Sequence, residues 1–168
     1  MVNIKEDYLI KIMSHQRITG QFDDCMEFTA RGRYLEKDGT KYIIYREYSE
    51  GMPGNYNICI VKIEKNNQNV TIIKNSKFQS KLIFEKNKRH YSPYQTEHGV
   101  LSMSVYTHYI KSMCDSSHGF VNIKYSLDMN SGVLSTMNIL ITYDKISDIS
   151  EQILTNEDVQ HVYSRENH

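Results

Sequence analysis

Residues 26–34 read MEFTARGRY, and this stretch decides the fold because its side chains alternate between two faces. Every even position holds an apolar, aromatic or glycine residue, and every odd position holds a polar or charged one. A period of two residues is typical of a β-strand with one buried face. Gly32, in the middle of the stretch, predicts a bulge or sharp bend of the kind that barrels use at their corners.

The same alternation recurs along most of the chain. The comparable runs are 8–18, 42–48, 56–63, 70–74, 77–85, 101–114, 120–129 and 133–143. Short turn segments separate most of them, and residues 86–99 are expected to form an irregular link. Sequential strands joined by short turns form antiparallel neighbours, and a long open sheet leaves unpaired edges. The sequence therefore predicts an all-β protein, an antiparallel closed or nearly closed barrel of eight or more strands.

The composition supports this fold class and limits the function. The chain has 168 residues, with 13 tyrosines, two prolines and a single alanine, so residues that favour strands are abundant. Its 20 basic and 20 acidic side chains cancel. A nucleic-acid or anionic-membrane binder normally carries a basic excess, so neither class is expected.

The N-terminal residues and the cysteines indicate a compartment. The chain begins MVNIKED, without a basic segment followed by an apolar one, and no apolar run is long enough to cross a membrane. Its three cysteines are far apart and form no CxxC pair, which favours free thiols in a reducing cytoplasm. We expect a barrel domain over residues 1–146 and an acidic tail over residues 147–168, partly ordered or forming short helices.

No motif for catalysis, cofactor binding or metal binding is present. The sequence lacks GxSxG, GxGxxG and GxxxxGK[ST], and its histidines show neither HxH nor HxxxH spacing. We therefore predict no enzymatic activity, no cofactor and no metal site. The leading hypothesis is a binding module for a small apolar or amphipathic ligand.

Tyrosines on predicted strands are the candidate lining of such a site. Tyrosine rings supply apolar walls together with a few hydroxyls that orient a ligand. We predict Tyr45, Glu47, Tyr106 and His108 as ligand-binding residues. The alternative is ordinary cross-strand aromatic packing. An inward Glu47 would need a cationic partner, for which Arg31 or Arg33 is expected.

Two other functions stay open. A homodimeric or adaptor barrel would act through its outer surface and would expose an apolar patch. The stretch Lys74–Arg89 is rich in lysine with aromatic residues interleaved, a composition that barrels binding single-stranded nucleic acid also use. The balanced net charge makes this last function the least favoured.

Four segments resemble the YwiB-like family of bacterial proteins of unknown function. They are residues 28–34 (FTARGRY), 42–47 (YIIYRE), 94–101 (YQTEHGVL) and 138–143 (NILITY). The likeness runs over about residues 4–146, although Glu97 and His98 replace the usual Pro-Tyr before the glycine. The resemblance implies a calycin-like (lipocalin-like) barrel in a small cytoplasmic bacterial protein. Because the family has no known function, it implies no catalytic residues.

Overall fold

The chain forms ten β-strands in a computed structural model that describes residues 5–49, 51, 54–129 and 133–149. The strands are β1 (Tyr8–Ile18), β2 (Asp24–Lys37), β3 (Thr40–Tyr48), β4 (Tyr56–Ile63), β5 (Asn69–Asn75), β6 (Ser80–Glu85), β7 (Arg89–Thr96), β8 (Gly99–Cys114), β9 (His118–Met129) and β10 (Val133–Lys145). Residues 146–149 form one helical turn, and the rest of the predicted acidic tail lies outside the described residues. The predicted all-β class is confirmed.

All ten strands belong to one antiparallel sheet that curls into a nearly closed barrel. Their order is β6-β5-β4-β3-β2-β1-β10-β9-β8-β7, so the first and last strands pair in the middle of the sheet. The sheet edges are the sequence neighbours β6 and β7. Across this seam Lys86 forms an isolated bridge with Thr107, and the Ser92 hydroxyl donates to the Lys81 carbonyl at 2.8 Å.

The expected irregular link over residues 86–99 is wrong, because β7 occupies most of it. This strand pairs only with β8, from Arg89 opposite Tyr106 to Thr96 opposite Gly99. The sequence of β7 does not show the alternation typical of a strand, because it carries Pro93 and most of its side chains are exposed. Proline and poor burial are both typical of an edge strand. The preceding strand also starts later than predicted, at Ser80, because the Ser76 hydroxyl donates to the Phe78 carbonyl and forms a turn.

A side chain at Gly32 would collide with both neighbouring strands. A β-carbon at this position would lie 2.2 Å from the Ile44 carbonyl oxygen and 2.3 Å from Cδ1 of Ile10. No side chain fits there, so the sheet requires glycine. The ladder between β2 and β3 also ends at this residue. It runs from Lys37 opposite Thr40 to Gly32 opposite Tyr45, and beyond that point β2 continues to pair with β1 alone.

The barrel interior is built from alternate residues of the strands. On β1 these are Tyr8, Ile10 and Ile12, and their partners across the sheet continue the same face. A bulge in β8 between Thr107 and Tyr109 changes which positions face inward. Before it Met103, Val105 and Thr107 are buried, and after it the partly buried positions are Ile110, Ser112 and Cys114.

Candidate functional site at the open end of the barrel

Three tyrosines close one end of the barrel, here called the closed end. The rings of Tyr34 and Tyr143 stack with centroids 4.8 Å apart, and Tyr8 meets them edge-on at 6.1 and 5.8 Å. The Tyr143 hydroxyl donates to the Asp115 carbonyl at 2.7 Å, and the Tyr8 hydroxyl donates to the Ser116 carbonyl at 2.5 Å. Burial raises the pKa of Tyr34 to about 12 and raises that of Tyr143 further. These phenols are therefore neutral and packed, and the Tyr34 hydroxyl donates to the Glu36 carboxylate at 3.2 Å.

The middle of the barrel is filled by its own side chains. Aliphatic residues from most of the strands are completely buried there, among them Ile10, Ile43, Val61, Ile123 and Ile141. Phe84 and Tyr125 complete the layer with ring centroids 4.8 Å apart, edge to face. Small barrels of this kind are commonly solid at their centre. A ligand in this barrel thus has its place at an end.

The opposite end, here called the open end, has apolar side chains that the core covers only partly. Phe28, Leu82, Leu127 and Met137 pack against the buried cluster but are themselves half-buried. Met26 follows on the same face of β2 as Phe28 and is 54% exposed. The separation of β2 from β3 beyond Gly32 lies at this end. Phe28 and Tyr45 face each other where the two strands part, with centroids 6.1 Å apart.

A group of polar side chains lies beside these apolar residues. Lys74 Nζ is 2.9 Å from Oε1 of Glu47, and the Cys59 thiol donates to Oε2 of the same carboxylate at 3.4 Å. Cys59 stands directly between Tyr45 and Lys74 in the strand registers. Burial, reinforced by the Glu47 charge, raises the pKa of Cys59 to about 12, and burial raises that of Tyr45 as well. The thiol and the phenol are therefore neutral, and the ion pair carries the only charges of this group.

This ion pair retains access to solvent. The side chains of Lys74 and Glu47 are 38% and 33% exposed. A partly hydrated ion pair contributes little to stability, but both partners can exchange water for a ligand's polar group. The arrangement therefore combines an apolar surface with one hydrogen-bond acceptor and one donor that are both charged.

The four predicted site residues fall into two pairs on opposite faces of the sheet. Tyr45 and Glu47 lie in this interior group at the open end. Tyr106 and His108 lie together on the outer face of β8, with ring centroids 4.9 Å apart. There the Arg89 guanidinium lies 5.6 Å from the Tyr106 ring centroid, and His108 Nε2 is 2.6 Å from the Ser126 hydroxyl oxygen. The structure therefore does not bring the two pairs into one site.

The partner of Glu47 differs from the expected arginines. Arg31 and Arg33 alternate with the interior residues of β2 and so face outward, whereas Lys74 reaches the carboxylate from β5. Sequence reasoning missed Lys74 and Cys59 as site residues. The sequence did contain a signal, namely the two-residue spacing of side chains on one face of a strand. Lys74 shares a face with Val70 and Ile72, and Cys59 shares one with Val61.

The cations of the lysine-rich stretch Lys74–Arg89 lie in several different environments. Lys74 faces Glu47 at the open end, Lys77 lies 3.5 Å from Glu97, and Lys88 lies 2.5 Å from Glu85. A groove for nucleic acid needs cations along one continuous face. These three cations instead point to three separate carboxylates.

Among the described residues, no group of three or more histidine, cysteine, aspartate and glutamate side chains is placed to hold a metal ion. Within the same residues no helix has the length and apolar character needed to span a bilayer. All three cysteines are free thiols, with Cys59 buried, Cys114 half-buried and Cys25 exposed.

Comparison with known proteins gives a family and a fold. Residues 10–141 match the family described as a domain of unknown function, DUF1934. The crystal structure of the YwiB protein from Bacillus subtilis is similar, with a TM-score of 0.69 and 24% sequence identity. The match covers 84% of this chain and 94% of that one. No curated protein matches the chain.

Proposed function

The chain belongs to the DUF1934 family, whose function is unknown, and we propose that it is a non-catalytic binding module for a small amphipathic ligand. The ligand occupies the open end of the barrel. One observation carries this proposal: half-buried apolar side chains lie beside a partly hydrated ion pair at that end, while the opposite end is closed by tyrosines. The calycin-like assignment and a cytoplasmic location are parts of the same proposal, the latter supported by the free thiols.

The side chains at the open end indicate what the ligand looks like. Its apolar part covers Phe28, Leu82 and Met137, which the core leaves half-exposed. Burial of one such side chain contributes roughly 1.5–3 kcal/mol. Its polar part lies against Lys74 and Glu47. Because this pair presents both a cationic donor and an anionic acceptor, an uncharged head group with a donor and an acceptor fits it best.

Native mass spectrometry of freshly purified protein is the first test. Extra mass that disappears on denaturation would support the proposal and would give the size of the ligand. A second test uses N-phenyl-1-naphthylamine, a neutral apolar dye whose fluorescence rises on binding. We expect saturable binding to the wild-type protein. A dye signal that never saturates, together with a bare chain in the mass spectrum, would contradict the proposal.

Two phenylalanines provide a matched pair of variants for the dye assay. Phe28→Ser removes a ring at the open end, and Phe22→Ser removes a fully exposed ring in the turn between β1 and β2. We expect the first to weaken dye binding roughly tenfold, the lower limit for loss of one apolar side chain contact. The second should leave binding unchanged. Equal effects of the two substitutions would place the dye outside the barrel.

A second candidate function rests on the outer face. A row of isoleucines, Ile44, Ile60 and Ile73, crosses β3, β4 and β5, with Arg33 and Lys81 at its two ends. Such a face suits a partner with an apolar centre and acidic edges. Two copies related by a twofold axis along this row would set cation against cation.

Sedimentation velocity over a range of concentrations tests this alternative. A dimer that Ile60→Asp dissociates would favour the homodimeric barrel. If the protein is a monomer at every concentration, the outer face can bind only proteins other than a second copy of this chain. Sedimentation and dye binding are independent of each other, so the two candidate functions are separable.

A further inference from the structure

A second site lies on the outer face of the barrel, around the exposed cysteine. Cys25 of β2 stands directly opposite His15 of β1, and His15 stands directly opposite Asn138 of β10. Side chains that oppose each other in an antiparallel pair share a face, with β-carbons about 4.5–5.5 Å apart. The row therefore places a thiol, an imidazole and a carboxamide next to one another on three neighbouring strands.

The imidazole is held by an ionised carboxylate. His15 Nε2 lies 3.2 Å from Oδ2 of Asp23, and Arg17 contacts both oxygens of this carboxylate, at 3.1 and 3.2 Å. The Arg17 guanidinium keeps the pKa of Asp23 below its usual value. With Nε2 directed at Asp23, Nδ1 is the ring nitrogen that can accept a proton from a neighbouring thiol. Asp23 therefore orients the base, and rotation of the Cys25 side chain toward Nδ1 completes the usual pattern of an activated nucleophile.

A groove runs beside this row. Its volume is about 380 Å³, and its lining includes Met13, Leu140, His15, Cys25 and Asn138. Met13 and Leu140 oppose each other and form an apolar floor. The Oδ1 atom of Asn138 is buried and has no hydrogen-bond partner among the described residues. A donor in the groove reaches this oxygen only after the Asn138 side chain turns outward.

We propose that Cys25 is an acceptor for an acyl group delivered by an acyl thioester whose chain lies in this groove. The Cys25 sulfur attacks the thioester carbonyl carbon and forms a new S–C bond, while His15 takes the thiol proton. The bond between that carbon and the donor's sulfur then breaks, and the donor leaves as a thiol after receiving the proton from His15. The exchange needs no oxidant or reductant. Once the Asn138 side chain turns toward the groove, its Oδ1 accepts a hydrogen bond from an amide N–H of the donor.

The other two thiols provide internal controls. Burial raises the pKa of both Cys59 and Cys114, which keeps them protonated and weakly nucleophilic. Cys25 is the exposed thiol of the three. This site lies on the opposite face of the sheet from the proposed ligand site and does not depend on it.

The test uses the full chain and the octanoyl thioester of N-acetylcysteamine, which carries an apolar chain and one amide N–H. We expect intact mass spectrometry to show one octanoyl group per chain, peptide mapping to place it on Cys25, and neutral hydroxylamine to remove it. Cys25→Ser should abolish the modification and Cys114→Ser should leave it unchanged. His15→Gln should slow it about a hundredfold, the lower range for loss of a general base.

The acetyl thioester of the same carrier tests the groove without any substitution. It keeps the reacting group and the amide but lacks the chain, so we expect it to react about tenfold more slowly. Equal rates for the two donors, equal labelling of all three cysteines, or an unchanged rate in His15→Gln would each overturn the proposal. Far-ultraviolet circular dichroism of every variant confirms that the barrel is intact.

Discussion

Replacement of Gly32 by alanine tests the close approach on which the shape of the barrel depends. The added β-carbon would lie 2.2 Å from the Ile44 carbonyl oxygen, whereas ordinary contact begins at 3.4 Å. The strands must therefore separate by about 1.2 Å, the difference between these two distances. Overpacking of this kind costs about 1–3 kcal/mol, and a weakened ladder hydrogen bond adds roughly 1 kcal/mol. We expect Gly32→Ala to lower the free energy of unfolding by about 2–4 kcal/mol.

Urea unfolding followed by circular dichroism measures this loss. We expect the midpoint to fall by roughly 1–2 M with an unchanged slope. Gly20→Ala is the matched control, because Gly20 has a positive φ of 81° but no atom within 4 Å of the added β-carbon. Gly20→Ala should lower the free energy of unfolding by only about 1 kcal/mol, the cost of placing alanine at a positive φ. A Gly32→Ala protein no less stable than the Gly20→Ala protein would refute the steric argument.

Three further predictions concern the packed part of the barrel. Phe84→Ala should lower the free energy of unfolding by about 3–5 kcal/mol, because Phe84 is completely buried; urea unfolding measures the change. Tyr143→Phe should cost about 1–3 kcal/mol, since it leaves the Asp115 carbonyl without its donor, whereas the half-exposed Tyr34→Phe should cost less in the same assay. Burial raises the pKa of Tyr125 to about 12, so its contribution to stability is complete below pH ~10 and is lost as the pH rises toward 12. Thermal unfolding at a series of alkaline pH values should show this loss, and Tyr125→Phe should reduce it.

The strands with one buried face could be predicted from the sequence, and the exposed strand could not. The buried face of β1 carries Ile10 and Ile12, and that of β4 carries Val61 and Ile63. The structure begins and ends both strands at the predicted residues. β7 has no such pattern, because a strand at the sheet edge buries little and tolerates Pro93. Periodicity detects burial on one face, so it fails where neither face is well buried.

The site was harder to predict than the fold because alternation does not identify the inner face. Tyr45 with Glu47 and Tyr106 with His108 are each two residues apart, and nothing local shows that the first pair faces inward and the second outward. The bulge after Thr107 also changes the inward-facing positions of β8 from odd-numbered to even-numbered residues. The pairing of Glu47 with Lys74 joins residues from β3 and β5, which are not adjacent in the sheet. Only the register of β4 between them determines that contact.

The pairing of β1 with β10 has a consequence for how the protein is made. Tyr8 lies opposite Lys145, so this ladder joins residues that are farthest apart in the chain, whereas the other ladders join consecutive strands. Contacts between distant residues form late and slow folding, so β1–β6 and β7–β10 can assemble as two separate meanders before they join. During synthesis from the N-terminus, one edge of β1 stays uncovered until β10 has been translated. A chain that stops before β10 therefore exposes unpaired edges on both β1 and β9, the kind of surface on which chaperones and aggregation compete.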